Sequence, residues 1–157
     1  MVLYVEIVDA DKYFLTRPFS DKWIEATNEN KVSCLTLAQK HIDSLPLIGR
    51  KLEFSQENQF PRYYVSNSRY ISAGYDEEII YNSKEIPQEV KDAVCEEALA
   101  ILKYMNEERY SLKEQGVASA SRGGLSESYE TYKPLELLLS FEAKRLMQNW
   151  IASNPNI

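Results

Sequence analysis

One stripe of apolar side chains between residues 87 and 115 constrains this chain more than any other feature. Pro87 suits the first turn of a helix, and Gly116 suits the position after its last turn. Between them, apolar residues recur at spacings of three and four, as one face of an α-helix requires. They are Val90, Ala93, Val94, Ala98, Ile101, Leu102 and Met105. The pattern predicts a central helix over residues 87–115, about 43 Å long at 1.5 Å per residue.

The apolar surface of this helix is wider than the stripe itself. Cys95 and Leu99 lie beside the stripe, whereas a helix that packs on one partner needs a single apolar face. We therefore expect a second subunit to cover the surplus, with Cys95, Leu99 and Tyr110 at the interface.

Four more helices are predicted, three before the central one and one after it. Asp9 and Ser20 can cap two short helices, the first ending near Arg17 and the second carrying Trp23 and Ile24. Asn28 can cap a longer helix, which Pro46 and Gly49 end and whose buried face would be Val32, Leu35, Ala38, Ile42 and Leu45. The C-terminal helix would begin at Pro134, with an apolar side of Leu135, Leu138, Leu139, Leu146, Met147, Trp150 and Ile151.

Two segments lack a helical period. Residues 46–85 are predicted to be a Tyr-rich loop, with two short strands around a turn in YYVSNSRYISAGY. In residues 116–132, small or apolar residues alternate with polar ones on both sides of Gly123-Gly124, and this pattern predicts a β-hairpin. The predicted fold is therefore mainly α: a small helical bundle with a long central helix, a β-hairpin and a C-terminal helix. We expect one domain over 1–152 and a flexible tail at 153–157.

Charge and composition exclude several classes of protein. The 157 residues carry 18 Lys and Arg against 24 Asp and Glu, a net charge of −6, whereas general duplex binding relies on a basic excess. No apolar run approaches the ~20 residues of a membrane span, and MVLYVEIVDA lacks the basic start of a secretion signal. We expect Cys34 and Cys95 to be reduced thiols in a reducing compartment.

No sequence motif points to catalysis. Phosphate-binding loops, dinucleotide fingerprints, HExxH and CxxC are all absent. His41 lies two helical turns from Cys34, about 10 Å, which is too far for a nucleophile and its base. The acidic pairs Glu77-Glu78, Glu96-Glu97 and Glu107-Glu108 are expected to be solvated charge. We therefore expect neither an enzyme nor a metal or other cofactor.

The Tyr-rich segment leaves two interpretations open. Arg62, Tyr63, Tyr64 and Arg69 combine cations with aromatic rings, the composition that stacks single-stranded bases and follows their phosphates. Tyrosine-rich strands also form protein interfaces, and that is the interpretation we favour. The turn at Arg122, Gly123 and Gly124 could contact phosphate, but an exposed Arg in a turn more often only improves solubility.

Four stretches, taken in order, resemble a known family. They are YVEIVDADKYFLTR (4–17), NKVSCLTLAQKHIDSL (30–45), GRKLEFSQENQFPR (49–62) and IPQEVKDAVCEEALAIL (86–102). The order is similar to that of the head-to-tail connector, or adaptor, proteins of tailed bacteriophages. Related prophage sequences carry the label of DnaT-like single-stranded-DNA-binding proteins. The chain departs from the connectors in its longer Tyr-rich stretch after Phe-Pro-Arg.

The resemblance implies a structural role in the neck of a virion, assembled in the bacterial host cytoplasm. Such a subunit forms a homo-oligomeric ring, commonly twelve-fold, under the portal protein and extends the channel through which packaged genomic DNA passes without sequence-specific binding. It offers a docking surface to stopper or tail proteins, here assigned to Arg122, Gly123 and Gly124 as a contact with them or with a neighbouring subunit. The portal contacts implied are Gln148, Trp150, Ile151, Asn154, Pro155 and Ile157.

The alternative function is that of a single-stranded-DNA-binding replication protein, with Arg62, Tyr63, Tyr64 and Arg69 as the contacts. Under the connector interpretation, the acidic excess would face the DNA channel.

Overall fold

The structure, a computed structural model, describes residues 2–66, 79–82, 85–104, 119–122, 125–128 and 137–152. Its helices are α1 (Ile7–Thr16), α2 (Asp21–Glu25), α3 (Asn28–Asp43), α4 (Gln88–Tyr104) and α5 (Phe141–Met147), and a 3₁₀ turn follows at Gln148–Trp150. Its strands are β1 (Arg50–Lys51), β2 (Arg62–Ser66), β3 (Ile79–Asn82), β4 (Ser119–Arg122) and β5 (Leu125–Ser128). The predicted mainly α class is confirmed, together with the central helix, the hairpin and the C-terminal helix.

The central helix α4 packs against α3 on one side and α5 on the other, with α2 also in contact. Cys95 and Leu99 are 2% and 1% exposed, inside the chain's own core. Their apolar character is therefore explained without a second subunit, because four helices of the same chain, α1, α2, α3 and α5, contact α4. Both cysteines are free thiols, and burial raises the pKa of each. Residues 105–115 of the predicted helix, including Tyr110, lie outside the described residues.

Helix α3 differs from its prediction at two points. Thr27, not Asn28, is the cap, and its hydroxyl accepts a hydrogen bond from the Asn30 backbone N–H at 3.3 Å. Val32 is 40% exposed, whereas Gln39 takes a fully buried position. Gln39 can lie in the core because its amide is paired at both ends, with Oε1 accepting from Tyr4 N and Nε2 donating to the Val2 carbonyl.

The described strands form two antiparallel sheets, β1-β2-β3 and β4-β5. The register Arg122↔Leu125 joins β4 to β5 across two residues, as the Gly-Gly hairpin prediction requires. The Tyr-rich hairpin is also present, but its second strand is Ile79–Asn82 and lies later in the chain than predicted. β1 adds a third strand that the sequence did not predict.

The C-terminal helix begins at Phe141 rather than at Pro134. The Ser140 hydroxyl accepts a hydrogen bond from Ala143 N at 3.1 Å and caps the helix. After α5, the chain pairs with the loop that follows α3, where Ile48 N donates to Trp150 O and Ala152 N donates to Pro46 O, both at 2.8 Å. The C-terminal segment is thereby fixed to the start of the β1 region.

Glu96 and Glu97 are buried, so their prediction as solvated charge is wrong. Glu97 is 0% exposed, and its carboxylate accepts hydrogen bonds from Leu139 N, Ser140 N and, at 2.8 Å, the Nδ1 of His41. A buried carboxylate is tolerated only when donors surround it. Here it fixes the start of α5 against α3 and α4.

None of the helices in the described ranges combines the length and hydrophobicity needed to span a membrane.

We expect Glu97→Ala to lower the free energy of unfolding by about 3 kcal/mol or more, because two backbone N–H groups and His41 lose their acceptor. Denaturant titration followed by circular dichroism measures the change. Glu89→Gln, an exposed position on the same helix, is the matched control and should stay within about 0.5 kcal/mol of the parent protein. Equal stability of both variants would contradict this role of Glu97.

Candidate nucleic-acid interface

Arg62 was predicted to contact nucleic acid under the alternative function, but it is only 7% exposed. Its Nε donates to Ile48 O at 3.0 Å, Nη2 donates to Gly49 O at 2.9 Å, and Nη1 donates to Gln59 Oε1 at 2.7 Å. Burial lowers the pKa of the guanidinium. The side chain therefore fastens the loop before β1 to β2, and its donors are used inside the protein.

Arg50 instead places a cation on the surface of this sheet. Its guanidinium carbon lies 5.2 Å from the centre of the Tyr63 ring, and the strand register sets the two residues opposite each other. Arg50 is exposed and Tyr63 half-buried. The next row of the register places Tyr64 opposite Tyr81, while Arg69 lies outside the described residues.

A further aromatic ring lies in the loop after β1. Phe54 is fully exposed, at 103% of its reference area. The loop around it is ordered by Gln56, whose Oε1 accepts from Glu53 N and whose Nε2 donates to Pro61 O at 2.9 Å. The Phe60-Pro61 peptide at its end is cis. Phe54 is thus presented to solvent by a loop with a defined conformation.

A separate cleft of about 310 Å³ opens where α4 meets α5. Leu99, Ala100 and Leu139 supply apolar lining. Tyr104 and Phe141 also line it and are 45% and 76% exposed. The cleft therefore combines an apolar surface with two accessible aromatic rings.

The polar side of the cleft is formed by an ion pair. Arg17 donates from Nε and Nη2 to the two carboxylate oxygens of Glu96, both at 2.9 Å, and Tyr13 Oη donates to Glu96 at 2.8 Å. Hydrogen bonding to Glu96 raises the pKa of Arg17, and burial followed by the same carboxylate raises the pKa of Tyr13. The pair is electrically balanced and holds the end of α1 against α4.

The turn after α1 has an unusual backbone. Phe19 has a φ of 60°, in the left-handed region, although its ring is 80% exposed. Two cations that line the cleft hold this turn: Arg17 Nη1 donates to Pro18 O, and Lys103 Nζ donates to Phe19 O at 3.0 Å. These contacts stabilise a conformation that an exposed phenylalanine does not favour by itself.

The remaining residues predicted as sites are dispersed. Trp150 is 4% exposed and meets the Phe60 ring edge-on at 5.4 Å, so it belongs to the core. Ile151 is partly buried in its bridge with Leu47, and Gln148 is exposed. Arg122 ends β4. Gly123, Gly124, Asn154, Pro155 and Ile157 are not among the described residues.

Sequence reasoning missed Arg50, Phe54 and the cleft. Arg50 lies in the stretch GRKLEF, where it forms a basic pair with Lys51. This pair was the available sequence signal for a cationic surface. No sequence signal joins Tyr104 to Phe141, because only the packing of α4 on α5 brings them to one cleft. Within the described ranges, no three His, Cys, Asp or Glu residues are grouped as a metal site would require.

We expect Phe19→Gly to raise the free energy of unfolding by about 0.5–1 kcal/mol, because glycine adopts positive φ without the steric cost of a Cβ atom. Phe19→Ala is the matched control, since it removes the same exposed ring but keeps the Cβ. Thermal unfolding of both variants makes the comparison. A lower melting temperature for the glycine variant than for the alanine variant would contradict the assigned backbone strain.

A family model described as "Putative DnaT-like ssDNA binding protein" matches residues 3–148. The matched range runs from before α1 to just after α5 and includes the β1–β2 pair and the cleft. It agrees with the label of the related prophage sequences and does not support the connector resemblance. No curated protein matches the chain, and neither does any solved structure.

Proposed function

This chain belongs to the DnaT-like single-stranded-DNA-binding family, and from that premise we propose that it binds single-stranded DNA through the outer surface of β1 and β2. The function is binding without catalysis and needs no cofactor. The observation that carries the proposal is the exposed Arg50 guanidinium over the Tyr63 ring. A cation beside an aromatic face is the pair of groups that single-stranded nucleic acid uses, one for phosphate and one for base.

The proposed surface differs from the one predicted from sequence. Arg62 is enclosed by carbonyl groups, so Arg50 takes the role of the phosphate contact. Phe54, fully exposed in the loop after β1, is a further ring on which a base can stack. Since the whole chain carries a net charge of −6, we expect stacking to contribute more of the affinity than charge does.

We expect Tyr63→Ala and Arg50→Gln to weaken binding of a fluorescent oligothymidylate in different ways. Tyr63→Ala should lower affinity by about tenfold at every salt concentration, since base stacking is worth about 1–3 kcal/mol. Arg50→Gln should also reduce the slope of log affinity against log salt by about 0.7, the value for one lost phosphate contact. Fluorescence anisotropy over a series of salt concentrations measures both effects.

Lys12→Gln is the control for Arg50→Gln, because it removes one exposed positive charge from α1. It should leave affinity and salt slope unchanged. Equal effects of the two charge variants would indicate a general electrostatic contribution and reject this surface. Circular dichroism should show that all the variants remain folded.

The connector role is the second candidate, and one observation favours an assembling subunit. Val8, Leu15 and Ile24 are 64%, 82% and 66% exposed on α1 and α2. Apolar side chains presented on neighbouring helices suit contact between copies of a chain. In that role, we propose a ring, twelve-fold in the related connectors, at the neck of a virion between portal and stopper proteins.

Native mass spectrometry of the purified protein, with and without a portal ring, tests the connector role. We expect a connector to form a closed ring or to saturate the portal with one copy per portal subunit, and Leu15→Asp to prevent this assembly. A monomer under both conditions would reject this second candidate without affecting the first.

A further inference from the structure

We propose that the cleft between α4 and α5 holds one base of the bound strand, stacked on Tyr104 and Phe141. This inference rests on the proposed function, because it assigns a second contact to the same single-stranded ligand. It concerns a different surface, at the N-terminal end of α5 rather than on the sheet.

The size and lining of the cleft suit a flat ring. Its volume of about 310 Å³ is at the lower end of the ~300–1,000 Å³ typical of sites for small molecules. Its lining is apolar where Leu99, Ala100 and Leu139 contribute, and Tyr104 and Phe141 remain accessible beside it. Every base has a π face that can stack on such rings, so this contact does not depend on the sequence of the strand.

The charges at the cleft admit a phosphate. Arg17 and Glu96 balance each other, and Glu142 pairs with Arg145 at 2.8 Å. The four charges of the lining, Arg17 and Lys103 against Glu96 and Glu142, therefore cancel, and the neighbouring Arg145 adds a positive charge beside the cleft, within a chain that is acidic overall. Because an ammonium group carries three donors, Lys103 can hold the Phe19 carbonyl and still reach a phosphate oxygen.

Helix α5 runs from the cleft to the loop that leads into β1. Phe141 begins the helix, and Trp150 ends the turn after it, about 14 Å away at 1.5 Å per residue. The Trp150 carbonyl accepts from Ile48 N, two residues before Arg50. At the ~3.4 Å spacing of nucleotides along one strand of a duplex, about four nucleotides span the length of α5 and its turn.

The test uses a ten-nucleotide oligothymidylate with one central 2-aminopurine, whose fluorescence falls when it stacks on an aromatic ring. The full chain, the double variant Tyr104→Ala with Phe141→Ala, and Tyr63→Ala are titrated. Leu15→Ala is the control, since it truncates an exposed apolar side chain on α1, outside the cleft lining. Melting temperatures establish that each variant is folded.

We expect the double variant to bind about tenfold more weakly and to lose part of the fluorescence quenching, while Leu15→Ala matches the parent chain. Lys103→Gln should lower the salt slope by about 0.7. If Tyr63→Ala weakens binding but the double variant does not, the cleft assignment is wrong and the sheet surface stands. If the parent chain binds no oligonucleotide, both are wrong.

Discussion

Two adjacent carboxylates in the middle of α4 hold the arrangement of the helices. Neighbouring residues on a helix point about 100° apart, so Glu96 and Glu97 reach different partners. Glu96 binds Tyr13 of α1 and Arg17, the residue that follows α1. Glu97 binds His41 of α3 and the backbone that precedes α5. Burying charge is costly unless donors surround it. The pair therefore permits one placement of α1, α3 and α5 around the central helix.

The same principle fixes the smaller elements. Asp11 accepts hydrogen bonds from the Trp23 indole at 2.8 Å and from Lys31 at 2.9 Å, joining α1, α2 and α3. Burial opposes its charge, but these two donors hold the pKa of Asp11 below its ordinary value. Arg62 has the opposite charge and the same role: it is a buried cation surrounded by carbonyl oxygens. In each case one polar group joins segments that are distant in the chain.

The apolar patterns predicted the helices well, but the polar groups that orient them were not predictable. Spacing at threes and fours identified α3 and α4, because side chains of one face must be buried together. It could not reveal that Glu96 and Glu97 are buried, since their donors come from residues about 40 to 80 positions away. For the same reason Arg62 was predicted as a ligand contact, and the start of α5 was placed at a proline rather than at the serine cap beside Glu97.

The hydrogen bonds of Glu97 also bear on the order in which the chain folds. Its two backbone donors, Leu139 and Ser140, leave the ribosome some 40 residues after it. Until then, α3 and α4 can meet, but a carboxylate between them lacks most of its donors. Contacts of such sequence separation slow folding because a long loop must close first. The nascent helical pair is thus expected to remain open until α5 has been synthesised.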